Sequence, residues 1–231
     1  MPNLSSQSHW TKAFYDKQYS GWNTARWVEH QNNAADYVIQ KIKNFTVQYR
    51  IQRVLEIGSG SGNFIIRLAN NFPNLTFCAS DFVSPAVNQI EKDVFDKSSF
   101  NNIYIMNLDA QLLNHALLKD FDVIVSIGLA SALSNDKIFD HVCSQLTPGK
   151  IIITDLINHL QPTFLIKPHK SLVNLFRFVY RGFSKNSKTY YFYKFGIKDK
   201  CKKNGLRIIS LETNPFYFGL RRPLFLIGIK E

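Results

Sequence analysis

The chain has 231 residues, which is enough for one α/β domain with a full hydrophobic core and short for two. Hydrophobic residues make up 45% and charged residues 19%, a composition that excludes an intrinsically disordered chain. No apolar run is long enough to span a bilayer, and no basic stretch followed by an apolar one opens the chain, so we expect neither a membrane span nor a secretion signal. The three cysteines lie far apart without a CxxC pair, which predicts no disulfide framework, no metal site and a cytoplasmic location.

The net charge of +11 is unevenly distributed along the chain. Residues 1–160 hold 13 Lys or Arg against 14 Asp or Glu, whereas residues 161–231 hold 15 against 3. An excess confined to one third of the chain indicates an anionic partner, which could be a nucleic acid, a membrane surface or an acidic substrate. A basic face that only keeps the protein in solution is the alternative.

Before residue 51, apolar residues at helical spacing predict a helix that Thr24 could cap. Short, nearly continuous apolar runs then predict five buried strands: Arg53–Ile57, Leu75–Ser80, Ile103–Asn107, Phe121–Ser126 and Lys150–Asp155. Three separate segments between the strands have helical spacing. One begins at Ser84-Pro85, another covers Leu112–Leu117, and a third ends before Pro148-Gly149. A short helix near Ile197–Lys203 and two last strands, Leu206–Leu211 and Pro223–Ile229, complete the pattern.

Repeated strand–helix–strand units predict a doubly wound, mostly parallel sheet. We expect seven strands, the last one antiparallel because a hairpin precedes it. The chain is predicted to be a single domain with an N-terminal helical cap (1–50), a core (51–156), a lid-like insertion (157–195) and a closing helix with two strands (196–231).

Three glycines, Gly58, Gly60 and Gly62, lie between the first strand and a helix. Glycines at such a place allow a tight turn and close approach of a ligand to the main chain. In the NAD fingerprint the third small residue comes three positions after the second, but here Gly62 comes two after and residue 63 is Asn. Glu56 would also repel a pyrophosphate, whereas it suits a ligand that carries an ammonium and a sulfonium.

This segment resembles the first motif of the class I S-adenosylmethionine (SAM) dependent methyltransferases, and further motifs follow in order from Val54 to Asp155. The resemblance implies a Rossmann-like fold, SAM as methyl donor and S-adenosylhomocysteine as product. It implies that Asp81 takes both ribose hydroxyls, that Phe82 packs on the adenine, and that Asp109 and Ala110 lie near the adenine amine. The implied donor-binding residues are Glu56, Gly58, Ser59, Gly60, Gly62, Asp81, Phe82, Asp109, Ala110, Ser126 and Ile127.

Methyl transfer needs alignment of donor and acceptor, and a base only where the acceptor keeps its proton. His159 follows the fifth strand and could be that base, or it could be a polar loop histidine. Tyr19 belongs to an aromatic N-terminal segment whose rings could lie against a sulfonium or could pack on the sheet.

The methyl acceptor is predicted to be a small molecule that accepts at O or N and that could be anionic or aromatic. The residues after Ser126 lack the (Asp/Asn)-Pro-Pro-aromatic motif of enzymes that methylate amide or base nitrogens, and no nucleic-acid-binding module is appended. Residues 176–195 hold nine aromatics interleaved with five basic residues. They could form a lid, a membrane-surface helix, a nucleic-acid surface, or a core or dimer contact.

Other functions stay open at this point. One is an RNA or lipid methyltransferase that uses the basic last third. Another is a non-catalytic partner protein with the SAM fold, and a third is an NAD-dependent oxidoreductase. The oligomeric state is not predicted.

Overall fold

In the part of the chain that the structure describes, helices and strands alternate as far as the sixth strand, as the alternation of apolar runs predicts. The computed structural model describes residues 25–96, 100–129, 137–156, 194–213 and 224–231. The strands are β1 (Arg53–Ile57), β2 (Thr76–Asp81), β3 (Ile103–Asn107), β4 (Val123–Ser126), β5 (Ile151–Leu156), β6 (Leu206–Thr213) and β7 (Leu224–Lys230). The helices are α1 (Ala25–Tyr49), α2 (Asn63–Asn71), α3 (Ser84–Asp96), α4 (His115–Leu118), α5 (Lys137–Gln145) and α6 (Lys194–Lys203).

The strands form a seven-stranded mixed sheet in the order β3-β2-β1-β4-β5-β7-β6. Parallel pairs join β1 to β2, β2 to β3 and β4 to β5, while β7 runs antiparallel to both β5 and β6. Every position of β4 and β5 is buried, which explains why these strands read as continuous apolar runs. The predicted mostly parallel sheet with an antiparallel last strand is therefore confirmed.

The chain divides into two compact units, Met1–Ala110 and Gln111–Glu231. In the first unit, α1 buries a stripe of small and aliphatic residues: Ala34, Ala35, Val38, Ile39 and Ile42. In the second unit, Asp140 of α5 accepts from Lys200 of α6 at 2.9 Å and from Asn204 at 2.8 Å. The domain organisation given above stays a prediction.

One predicted helical run is interrupted. The structure has a 3₁₀ turn over Ala110–Leu112 and then the separate short helix α4. Asn114 has extended backbone angles, and its side chain accepts a hydrogen bond from the Leu117 amide at 3.0 Å. Because asparagine caps a helix better than it continues one, the helical spacing of Leu112–Leu117 does not produce one continuous helix.

Several predicted features fall outside the described residues. These are Thr24, Tyr19, His159, most of the lid-like insertion and the hairpin loop before β7. Among the helices that the structure describes, none is long and apolar enough to cross a membrane.

Candidate active site

The three glycines of the loop after β1 all have left-handed backbone angles, with φ of 75° at Gly58, 55° at Gly60 and 76° at Gly62. A Cβ at Gly62 would lie 2.8 Å from Ile90 Cγ1, so this glycine permits close packing of α2 on α3. At Gly60, among the described residues, a Cβ would meet only the Gln31 side-chain nitrogen, at 3.8 Å. The loop therefore presents main chain rather than side chain at Gly60, as a close-fitting ligand requires.

Hydrogen bonds attach the loop to the end of β2. The amides of Gly58 and Ser59 both donate to the Ser80 carbonyl oxygen, at 2.8 and 2.9 Å. In return, the Ser80 amide donates to Ser59 Oγ at 3.0 Å, and the Ser80 hydroxyl donates to the Glu56 carbonyl oxygen at 2.7 Å. The serines at 59 and 80 are buried, so these bonds hold the loop against β2 without competition from water.

Asp81, the last residue of β2, is buried and oriented by two main-chain donors. Its Oδ2 accepts from the Gly60 amide and its Oδ1 from the Val83 amide, both at 2.9 Å. These two main-chain bonds hold the Asp81 side chain in place at the loop. A carboxylate only accepts hydrogen bonds, which is the chemistry that the vicinal hydroxyls of a ribose require.

Glu56, near the end of β1, carries the most perturbed carboxyl of the site. Its side chain is only 2% exposed, and Oε2 has no hydrogen-bond partner among the described residues. Burial raises the pKa of Glu56 to about 8, the Ser59 side chain opposes this rise, and the charge of Asp81 adds to it. An unsatisfied buried acceptor costs about 1–3 kcal/mol, so a cationic group of a ligand would be favoured here.

The end of β3 lies beside Asp81 in the same unit. Asn107 pairs with Asp81 in the register of β2 and β3, and the Leu108 amide donates to the Asp81 carbonyl oxygen at 2.9 Å. Asp109 follows directly and is half-buried, like Phe82, whereas Ala110 is buried. The carboxyl ends of parallel strands are where open α/β sheets bind ligands.

In the second unit, β4 and β5 end in a polar pair. Ser126 and Ile127 are buried at the end of β4, and the next amide, that of Gly128, donates to Asp155 Oδ1 at 2.7 Å. Burial raises the pKa of Asp155 to about 6, although the hydrogen bond from Gly128 opposes this rise. Asp155 thereby holds the main chain of Gly128 in place just after β4.

A protein-family model described as a methyltransferase domain matches residues 51–196, which is more than half of the chain. The chain belongs to this methyltransferase family. Together with the fold, the match makes it a class I SAM-dependent methyltransferase whose methyl donor is SAM. The alternative of an NAD-dependent oxidoreductase, which the glycine spacing disfavoured, is thereby excluded.

Solved structures share the fold across almost the whole chain. Magnesium protoporphyrin IX methyltransferase from Synechocystis PCC 6803, with bound SAH, has a TM-score of 0.66 and 14% identity over 95% of this chain and 98% of that chain. A SAM-dependent methyltransferase from Aquifex aeolicus has a TM-score of 0.60 and 12% identity, with coverage of 94% and 98%. At such identities the likeness shows the fold alone.

A relative of closer sequence is malonyl-[acyl-carrier protein] O-methyltransferase 2 of Ilyobacter polytropus. It is 29% identical over 101 residues, which are 43% of this chain and 37% of that protein. The match thus spans little more than a third of the relative's own length.

Most of the residues predicted for the methyltransferase site lie in the first unit. Hydrogen bonds bring together Gly58, Ser59, Gly60 and Asp81, with the main chain of Glu56 attached through Ser80, while Gly62 directly precedes α2 as its N-cap. Phe82, Asp109 and Ala110 follow β2 and β3, whereas Ser126 and Ile127 belong to the second unit. His159 and Tyr19 lie outside the described residues, so their roles stay predictions.

Sequence analysis missed Gln31, which contacts the glycine loop through Ser61 and Asn63. A signal was present in the sequence. Gln31 lies three, four and seven positions before Ala34, Ala35 and Val38, so it is a polar residue on the buried stripe of α1. A polar side chain on such a stripe needs a hydrogen-bonding partner, and here that partner is the loop.

Proposed function

We propose that this methyltransferase transfers the methyl group of SAM to an oxygen or nitrogen atom of a small, anionic or aromatic acceptor. The observation that carries the donor site is Glu56 Oε2, a buried acceptor without a partner among the described residues, beside a glycine loop that Asp81 holds in place. The donor combines an ammonium, a ribose diol and an adenine. Each of these groups has a complementary residue in the first unit.

In this proposal, Glu56 accepts from the ammonium and Asp81 from both ribose hydroxyls. Phe82 packs against the adenine, and Asp109 with Ala110 lies near its amine. The loop glycines let the donor lie against main chain at Gly58 and Gly60, with Ser59 and Gly62 holding the shape of the turn. Ser126 and Ile127 are assigned to the reactive end by the resemblance.

Bound SAM supplies a methyl group on a sulfonium, which is electrophilic without further activation. The protein must therefore align the acceptor in line with this methyl group and exclude water. An acceptor hydroxyl or ammonium must also lose a proton, and we assign that proton to His159. Tyr19 would face the sulfonium with its ring.

Two observations support the acceptor class: the names of similar enzymes, and the net charge of the last third of the chain. The relatives include malonyl-[acyl-carrier protein], magnesium protoporphyrin IX and mitomycin 7-O-methyltransferases, enzymes whose names specify small or carrier-bound acceptors. Residues 161–231 carry 15 Lys or Arg against 3 Asp or Glu, which favours an anionic acceptor. A cytoplasmic location belongs to the same proposal and is supported by three buried cysteines, none in a disulfide.

An RNA or lipid acceptor is the second candidate, favoured by the aromatic and basic composition of residues 176–195. Binding to RNA that weakens steeply with salt, or binding to anionic vesicles, would support it. Salt-independent turnover of a small carboxylic acid or phenol would decide for the small-molecule acceptor.

Calorimetric titration with SAM, S-adenosylhomocysteine and NAD tests the donor site. We expect both adenosyl ligands to bind in the micromolar range and NAD to give no heat. Asp81→Ala should abolish adenosyl binding, while Glu91→Gln, an exposed acid of the same unit, should bind as the wild type does. Absence of adenosyl binding to the wild type would refute the assignment of the donor site. Methylation of a panel of acids and phenols with radiolabelled SAM then identifies the acceptor class.

A further inference from the structure

Gln31 is a neutral polar side chain on the apolar face of α1, and it is only 6% exposed. Its carboxamide is tied to the glycine loop by a short chain of hydrogen bonds. The Ser61 hydroxyl donates to Gln31 Oε1 at 2.8 Å, and Asn63 Nδ2 donates to the same oxygen at 3.4 Å and to Ser61 Oγ at 2.8 Å. The direction of donation therefore runs from Asn63 through Ser61 to Gln31.

In the structure, this chain of hydrogen bonds has the Gln31 amide oxygen towards Ser61 and Asn63. The Ser61 hydroxyl donates its one proton to Gln31 Oε1 and accepts from Asn63. Oε1 thus faces two donors of the loop, and the amide nitrogen Nε2 lies on the other branch of the carboxamide. The hydrogen bonds that tie Gln31 to the loop both use Oε1, and Nε2 carries two N–H donors.

Nε2 lies beside Gly60, where the proposed function places the donor against the main chain. It is 3.8 Å from the position that a Cβ at Gly60 would take, and the Gly60 amide is the one that donates to Asp81. Helix α2 begins just beyond, at Asn63, with Gly62 as an N-cap that offers no side-chain hydrogen bond. The partial positive charge of the helix N-terminus therefore acts on the same region as the Gln31 donors.

We propose that Gln31 Nε2 donates a hydrogen bond to the carboxylate of the donor's amino-acid end. This inference rests on the proposed function, because it names a further residue of the same donor site. An NH₂ group only donates, and the carboxylate is the anionic acceptor of SAM and belongs to the same amino-acid end as the ammonium that Glu56 would take. The ammonium and the ribose diol are donors and are already matched by Glu56 and Asp81.

A ligand that lacks this carboxylate shows whether Gln31 binds the donor directly or only supports the loop. Decarboxylated SAM keeps the adenosine, the sulfonium and the amine. We expect Gln31→Met, which keeps the length of the side chain but has no N–H, to bind SAM about ten- to a hundred-fold more weakly. The affinity for decarboxylated SAM should stay within about two-fold of wild type. Gln40→Met is the matched control, because Gln40 is an exposed glutamine of the same helix.

Gln31→Glu gives a second test, in which the affinity for SAM should fall while the affinity for decarboxylated SAM should not. Its carboxylate can still accept from Ser61 and Asn63, so the loop keeps its partners. Its second oxygen would face the donor's carboxylate, and SAM affinity should fall at least as far as in Gln31→Met. Decarboxylated SAM should bind as tightly as to wild type or more tightly, because a negative charge now faces its amine. This variant keeps the test decisive where Gln31→Met does not fold.

Two results would overturn the inference. Equal weakening of SAM and decarboxylated SAM in both variants would make Gln31 a support of the loop only, and unchanged affinity for SAM would remove it from the site. Failure of the proposed function looks different, since the wild type would then bind neither ligand. Thermal unfolding of each variant, beside Gln40→Met, checks that the fold is retained.

Discussion

Donor binding should release a proton at pH 6.5, and Glu56 should be its source. Burial holds the pKa of Glu56 at about 8, so at pH 6.5 the carboxyl of the free protein is protonated in about 97% of molecules. An ammonium placed against Oε2 favours the carboxylate, and the carboxyl proton leaves. S-adenosylhomocysteine is the ligand of choice, because it keeps the ammonium but has no sulfonium.

The magnitude follows from two titrating groups. The free ligand's α-amine lies beside its own carboxylate, which raises the amine pKa to about 9, so nearly all of the free ligand is an ammonium at pH 6.5 and about 0.9 proton should be released per ligand bound. At pH 9 the free carboxyl is mostly ionised and about half of the free amine is neutral, so the sign reverses and binding takes up part of a proton. Affinity should therefore be highest between about pH 8 and 9 and fall about ten-fold per pH unit well below this range.

Calorimetry in two buffers of different ionisation enthalpy measures the number of protons exchanged. Glu56→Gln should release almost none at pH 6.5 and should still take up protons at pH 9, where the amine titrates. Glu91→Gln should behave as the wild type does. No proton release by the wild type at pH 6.5, or equal release by Glu56→Gln, would show that Glu56 does not meet the ammonium.

Three further predictions concern stability. Because the pKa of Glu56 is raised, its stabilising contribution is full below about pH 4.5 and is lost as the pH rises through about 8. At pH 9, Glu56→Gln should therefore melt several degrees above the ligand-free wild type, whereas at pH 4.5 the two should melt at the same temperature. Gly62→Ala should cost about 1–3 kcal/mol more in urea unfolding than Gly149→Ala, because both glycines have positive φ but only a Cβ at Gly62 meets Ile90; equal costs would contradict the packing. Asp81→Asn should cost about 1–3 kcal/mol, because its NH₂ would face one of the two amides that the carboxylate accepts from, and unchanged urea unfolding would show that those bonds are weak.

The sheet could be predicted closely because most of its strands are short apolar runs, and β1, β2, β4 and β5 are buried at nearly every position. Arg53–Ile57 and Ile103–Asn107 coincide with the structure, and the other strands differ by one or two residues at their ends. Strand ends are set by where ladder partners stop, which a single apolar run does not encode. Asn114 shows a different limit, because its side chain competes for a backbone amide and divides a run that has regular helical spacing.

Site residues that belong to a local sequence motif could be predicted, whereas those brought to the site only by tertiary packing could not. Glu56 and Asp81 follow from a loop motif and from the spacing to the next strand end. Gln31 precedes the loop by about 30 residues, and only the packing of α1 brings its carboxamide to Ser61 and Asn63. The unsatisfied oxygen of Glu56 likewise depends on burial in three dimensions, since the same glutamate on a surface strand would be hydrated.

In the ligand-free protein, the buried carboxyl of Glu56 lowers the free energy of unfolding. A bound cation would remove this destabilisation, which links donor affinity to stability. Glu56 is 2% exposed with an unsatisfied oxygen, and the Asp81 charge lies close enough to raise its pKa further. A ligand with an ammonium relieves both penalties, whereas a pyrophosphate supplies no cation and places more negative charge near Asp81. The donor should therefore raise the melting temperature beyond what the Asp81 contacts alone provide. That excess should vanish in Glu56→Gln, because the neutral amide removes the penalty before the ligand arrives.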